Sequence, residues 1–410
     1  MNLRIHPSPH AQRGLSLVEL MVAMTISLIG MIVIFQVFEV SQGIKRTTTS
    51  GGDAQQNGAI ALYSMDRDVR NAGMGFNDVA QAGCNIIGYD NTRVPTDFPV
   101  AGASLLLVPV RIVPGPNSRT PDTLVVMYGS QTHSASATTI NTTMGVSTDP
   151  VRVTSTYGFR PGDLILLRQT GTANPCSIME VTQVIGDELR HQSGSYTLGA
   201  GGAQVTARFN KPTGLGVLYT TAPVTNVYNL GNLYDTGGMT LPVHTTWSIS
   251  NNALTTTAVF VVSPPSTIAD NIVHMRALYG LDDGVDNGTV TYSTLFNAGD
   301  GLVDRWVDGN TVPDWRYVIA VRLVVVARSA QPEIPAAGRG APCDTTPAEP
   351  TWSGSNPAAA PNNWAGPPWN FNTRLDLSTP ADTPTNNWQC YRYKTFETTV
   401  PVRNWIWKAS

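Results

Sequence analysis

Charge is scarce in this chain of 410 residues, where Asp, Glu, Lys and Arg together supply 13%. With 26 Lys and Arg against 29 acids there is no basic footprint for nucleic acid, and no nucleic-acid partner is expected. The motifs that announce common enzymes are missing too. There is no G-x-S-x-G nucleophile elbow, no P-loop, no H-E-x-x-H helix and no dinucleotide-binding glycine fingerprint. His133, His191, His244 and His274 are scattered, and the four cysteines form no C-x-x-C or Cys/His spacing. No metal and no cofactor is expected, and the composition points away from an enzyme. No internal repeat of fixed period occurs.

Polar residues are nearly absent from one stretch, and the rest of the chain is organised around it. From Leu15 to Phe38 only Ser16, Glu19, Thr25, Ser27 and Gln36 are polar, and Glu19 is the only charge. At ~1.5 Å per residue a helix of this length reaches roughly 36 Å, enough to cross a hydrocarbon core of about 30 Å with some tilt. A carboxylate inside such a run costs on the order of 3 kcal/mol unless it is paired or lies at the interface. The preceding residues 1–14 carry Arg4, His6, His10 and Arg13 and no acid, and they end in Gly14. Cleavage after Gly14 would make Leu15 the first residue, its α-amino group a cation, and Glu19 the fifth position. A secretory signal peptide would instead be cut behind the apolar run after small residues. The residues there, Phe35 to Glu39, are bulky.

In these residues the chain resembles the type IV prepilins, which have a basic leader ending in Gly and a Glu at the fifth mature position. It departs from their common pattern in having Leu15 where Phe is usual, and in a leader of fourteen residues. The resemblance implies that prepilin peptidase recognises Gly14 and cuts there. It also implies that Leu15 becomes the methylated N-terminus and that Glu19 meets the amine of a neighbouring subunit. Lys and Arg flanks stay cytoplasmic, so the C-terminal bulk is expected on the periplasmic side of the inner membrane and afterwards in the pilus at the cell surface.

Downstream, residues 47–52 read as a polar, Gly-containing interruption, with Asp53 able to cap a second helical piece. Gly58, Leu62, Met65, Val69 and Ala72 then form one apolar stripe, and Gly73 and Gly75 stop the helix. From Cys84 to about Thr257 the signals are short β-branched runs bounded by turn residues: TLVVMYG, DLILLRQ, SIMEVTQVIG and GVLYTT. Residues 268–284 set Ile268, Ile272, Met275 and Tyr279 at helical spacing, which predicts a helix. DWRYVIAVRLVVVARS at 314–329 and YKTFETTVPVRNW at 393–405 read as strands.

The even count of cysteines suits a compartment where disulfides persist, and four cysteines allow three pairings. Cys343 and Cys390 bracket an odd segment, residues 331–388, with eleven Pro and four Trp, which favours their pairing and leaves Cys84 with Cys176. Closing the first of these loops would stabilise by about 4 kcal/mol in the chain-entropy model. A loop this long is either functional or disordered, and its Trp content favours packing or recognition. It reads equally as a lid on the domain's own surface or as an exposed partner-binding loop. The turn with Asp282, Asp283 and Asp286 is rich in Asp and Gly but lacks the EF-hand register, and it reads as a polar turn. Asp300, Asp304 and Asp308 could join it only through folding.

The MDRDVRNAGMGF end of the first helix, the 268–329 block and the Arg-Asn end of the last strand resemble minor pilins of the PilW family. That resemblance implies an α+β pilin-like fold, with a long N-terminal transmembrane and stalk helix packed on an antiparallel, β-rich globular domain. The expected divisions are a leader at 1–14, the helix at 15–75, the globular domain at 76–330, an inserted loop at 331–389 and a final strand at 390–410. The implied role is priming and assembly of a type IV pilus at its tip. The implied partners are prepilin peptidase, other minor pilins, the major pilin, a tip adhesin and the inner membrane. The competing roles are a minor pseudopilin of a type II secretion system and a membrane-anchored periplasmic enzyme. Removing the leader's Arg4 and Arg13 leaves 24 basic residues against 29 acids, a net charge of −5.

Overall fold

The computed structural model describes residues 16–406 apart from 77–81, 100–104, 131–136, 236–240, 261–263, 287–288, 291–299, 339 and 353–374. One helix, α1, runs from Leu17–Asn71. The expected break at 47–52 is absent, and the helix continues through Gly51 and Gly52. Each glycine costs a helix only about 1 kcal/mol relative to Ala, and no proline removes a backbone donor there. Thr48, which could have competed for the backbone, instead donates its hydroxyl to the Ile44 carbonyl one turn back (2.9 Å).

The chain divides into two compact units, residues 1–53 and 54–410. In the first, the helix is apolar all round and exposed, with Leu28 63% and Phe35 65% accessible. By length and composition it can cross a membrane. Its hydroxyls are satisfied within the helix: Thr25 donates to the Val22 carbonyl and Ser27 to the Ala23 carbonyl, both at 2.8 Å. Hydrocarbon offers polar groups no partner, so this internal pairing suits a lipid environment.

In the second unit the last part of α1 buries Ala54, Ala61, Met65 and Val69 in the main core, and Ala72, one residue past its end, joins them. The face of the expected stripe is therefore buried. Gly58 sits where a Cβ would run into the ring of Phe396, so glycine is what lets helix and strand approach closely. Phe396 belongs to a four-stranded antiparallel sheet ordered Arg305–Val307, Ile272–Leu281, Val318–Arg328, Tyr393–Pro401. Along Val318–Arg328, Val321, Leu323, Val325 and Ala327 enter the main core. Val324 and Val326 point to the opposite face, against Trp352 and Leu375 of the insert. Burial on both faces explains why this strand reads as one apolar run.

The helix expected over 268–284 is instead two strands, Ser266–Asp270 and Ile272–Leu281, separated by Asn271 in a left-handed conformation (φ 58°). The misleading spacing has a physical origin. Ile272, Met275 and Tyr279 do share one core face, but a register irregularity between Ile272 and His274 turns a two-residue step into three. The next four residues are two strand periods.

A five-stranded antiparallel sheet (Ser266–Asp270, Ala253–Ala258, Val243–Ser250, Thr123–Tyr128, Val110–Val113) is tied to the four-stranded one by Tyr279. Its hydroxyl donates to the Val110 carbonyl (3.0 Å) and accepts from the Ile112 amide (2.5 Å). A six-stranded sheet holds the one parallel pairing among the described strands, Ile86–Tyr89 beside Cys176–Glu180. The class is α+β, one long helix with a mostly antiparallel, β-rich domain in a pilin-like arrangement, as the sequence led us to expect.

Candidate functional site

Glu19 sits in the first turn of α1, where the sequence Ser16-Leu17-Val18-Glu19 closes a reciprocal capping box. The Ser16 amide donates to Glu19 Oε2 (3.0 Å) and the Glu19 amide donates to Ser16 Oγ (3.2 Å). Two helix-end donors are satisfied, and the carboxylate is folded back toward the chain's beginning. It therefore lies against the Ser16 amide instead of extending along the apolar surface of the helix. Gly14 and Leu15 themselves lie outside the described residues. Sequence reading took Glu19 for its charge and missed Ser16, although the S-x-x-E spacing was there to be read.

At the other end of α1 the Asn404 side-chain amide donates toward the carbonyls of Arg70, Asn71 and Ala72 at 3.2 to 3.3 Å. These are among the carbonyls that a helix leaves unpaired at its C-terminus. The Arg-Asn dipeptide after the last strand thus holds the helix end, and Arg70 is itself paired with Asp66 (2.7 Å).

Cys84 is bonded to Cys176 (Cα separation 6.0 Å), joining the strands of the parallel pair. Cys343 is bonded to Cys390 (Cα separation 4.7 Å). Trp352 and Leu375 are buried against Leu278, Val324 and Val326. The described parts of the insert therefore lie as a lid on the outer face of the four-stranded sheet. Trp364 and Trp369 lie outside the described residues.

The acidic turn is used internally. Asp282 accepts from the amides of Asp300 and Gly301 (3.3 and 2.8 Å), Asp304 from Gly284 (2.7 Å), and Asp283 holds Arg305 (2.5 Å). Folding brings Asp300 and Asp304 to Asp282 and Asp283, and burial together with these neighbours raises the Asp304 carboxyl above its usual range. Among the described residues no group of three His, Cys, Asp or Glu is arranged to hold a metal ion. His191 bonds the Asp149 carbonyl (2.8 Å), while His244 and His274 are buried far apart in sequence and on different sheets. Burial lowers both of the latter to about 4. His133 lies outside the described residues.

An exposed apolar helix with a capped, acidic first turn, followed by a mostly antiparallel β-rich domain, is a pilin-like arrangement that fits membrane anchoring. Residues 9–35 match the Prokaryotic N-terminal methylation motif, and residues 248–404 match PilW, the Type IV Pilus-assembly protein W. The second match starts inside the Val243–Ser250 strand and runs to Asn404. It takes in the whole four-stranded sheet, its lid and the residue that caps α1. Comparisons with curated proteins and with solved structures give no match. The two family matches support a type IV pilus minor pilin and point to a structural pilus component. They also fit membrane anchoring and association with other pilins.

Proposed function

We propose that this chain is a PilW-like minor pilin, cleaved by prepilin peptidase between Gly14 and Leu15, methylated at Leu15, and built into the priming complex of a type IV pilus at its tip. What carries the reading is the coincidence of the methylation-motif match at 9–35 with an exposed apolar helix whose first turn holds Glu19. In this reading residues 1–14 are a leader, 15–75 the anchor and stalk, 76–330 and 390–410 the globular domain, and 331–389 its inserted lid. The domain faces the periplasm before assembly. Other minor pilins, the major pilin and a tip adhesin are its partners. Glu19 meets the Leu15 amine of a neighbour, because a carboxylate at that depth needs a cation and the processed N-terminus supplies one.

The experiment is N-terminal sequencing of the mature protein together with Gly14→Val. Wild type begins at Leu15, and the variant stays at full length, because a small residue must lie flush against the apolar run where the peptidase cuts. A different first residue in wild type rejects the processing step.

A further inference from the structure

The lid's returning leg, residues 376–393, does not lie flat on the sheet everywhere. Between it and the ends of the Ile272–Leu281 and Val318–Arg328 strands is a half-open cleft of about 320 Å³. That is the lower end of the size range for small-molecule sites, enough for one sugar ring. The walls combine the aromatic side chains of Trp388 and Tyr391 with the exposed amides of Asn252 and Asn386, and with Arg328.

The charges in the cleft are not equivalent. Asp376 is taken up by Arg119 (3.3 Å) and by the hydroxyl of Ser118 (3.1 Å), and Asp382 by the amide and hydroxyl of Thr379 (3.1 and 2.7 Å). Arg328 has no carboxylate within ion-pairing reach among the described residues. Its guanidinium lies 4.2 Å above the Tyr391 ring, and its buried Nε finds no acceptor among them. Stacking fixes the plane of the guanidinium, so its fork is set in advance for a planar, bidentate anion. The Cys343–Cys390 disulfide lies two residues from Trp388, and the short Trp388–Cys390 turn is capped by Asn387. The aromatic wall therefore rests on a rigid support.

We propose that this cleft binds an acidic saccharide residue, its carboxylate on Arg328 and its ring against the aromatic wall of Trp388 and Tyr391. The apolar C–H face of a pyranose suits an aromatic wall, its hydroxyls suit Asn252 and Asn386, and only the acidic sugar supplies what Arg328 lacks. This site stands apart from the assembly reading, since it does not involve α1.

The test is saturation-transfer NMR on the full chain in detergent micelles, with three probes: a galacturonic acid oligosaccharide, the corresponding galactose oligosaccharide, and acetate. Transfer to the ring protons of the uronate is expected, with much weaker transfer to the neutral sugar. Acetate should not compete at matched concentration. Arg328→Gln should weaken uronate binding at least about tenfold, the loss expected for a hydrogen bond to a charged group. Should that variant fail to fold, as judged by disulfide mapping and melting, Asn386→Ala decides. Its side chain is exposed, so it should keep the fold and weaken binding severalfold. No transfer from the uronate, equal binding of the neutral sugar, full competition by acetate, or unchanged binding in a folded variant overturns the proposal.

Discussion

At the scale of single residues, Ser16 and Glu19 separate two effects that a simple truncation would merge. Glu19→Leu removes both the cap and the charge. Glu19→Gln keeps a side chain that can reach the Ser16 amide and removes only the charge. Ser16→Ala keeps the charge and loses the cap, at a cost to the helix start of about 1 kcal/mol. If docking on a neighbouring subunit rests on the carboxylate, Glu19→Gln should be cleaved and retained in the membrane yet fail to pull down sibling minor pilins. Ser16→Ala should pull them down nearly as wild type does. The reverse pattern, counted by pull-down and by surface pili, would assign the role to the cap. Gly58 gives a second residue-level expectation. Replacing a helical glycine by alanine normally stabilises by about 1 kcal/mol, but here the new Cβ meets the Phe396 ring, and overpacking costs about 1–3 kcal/mol. Gly58→Ala should therefore lower the midpoint of denaturant unfolding, and Phe396→Val should cancel most of that loss in a double-mutant cycle.

At the scale of elements, the lid is the testable unit. It is held by the Cys343–Cys390 bond at its base and by Trp352 and Leu375 on the sheet. Cys343→Ser with Cys390→Ser should make residues 331–388 sensitive to limited proteolysis while the sheet and α1 stay resistant, because their core lies on the other face. Mass mapping of the released peptides checks this. The elements also show what a single sequence can carry. The apolar start of α1 was legible because a helix long enough to cross a membrane is apolar on every side, and the Val318–Arg328 strand because burial on both faces leaves an unbroken apolar run. The α+β class followed from them. The strand at Ile272–Leu281 was misread because a bulge imitates helical spacing, and the break expected at 47–52 was not realised because glycine is tolerated in a helix. Which way the insert lies was not legible at all: Trp352 meets Val324 and Val326 only through tertiary contact. The sequence held Asn404 in plain view, but no local pattern ties a residue there to carbonyls more than three hundred positions earlier.

At the scale of the whole molecule, two buried histidines make the fold sensitive to acid. His244 is 4% exposed against Phe260, and His274 is 1% exposed near Arg276. Desolvation depresses both from 6.5 to about 4, so each is neutral in the fold while the unfolded chain takes up protons below about 6.5. Their contribution is fully present above pH 6.5 and is lost as the pH falls toward 4, on the order of 3 kcal/mol per histidine. Melting at about pH 4.5 should be well below that at about pH 7.5, and His244→Leu, which cannot titrate, should narrow the gap. The attachment of Asn404 to the end of α1 carries a different consequence. The Tyr393–Pro401 strand completes the sheet's edge and Asn404 covers the helix carbonyls, so the end of α1 is closed by a residue 334 positions further along the chain. A chain cut short before Tyr393 would leave Val318–Arg328 as an open strand edge and the end of α1 without its cap, two points at which a protease finds unpaired backbone.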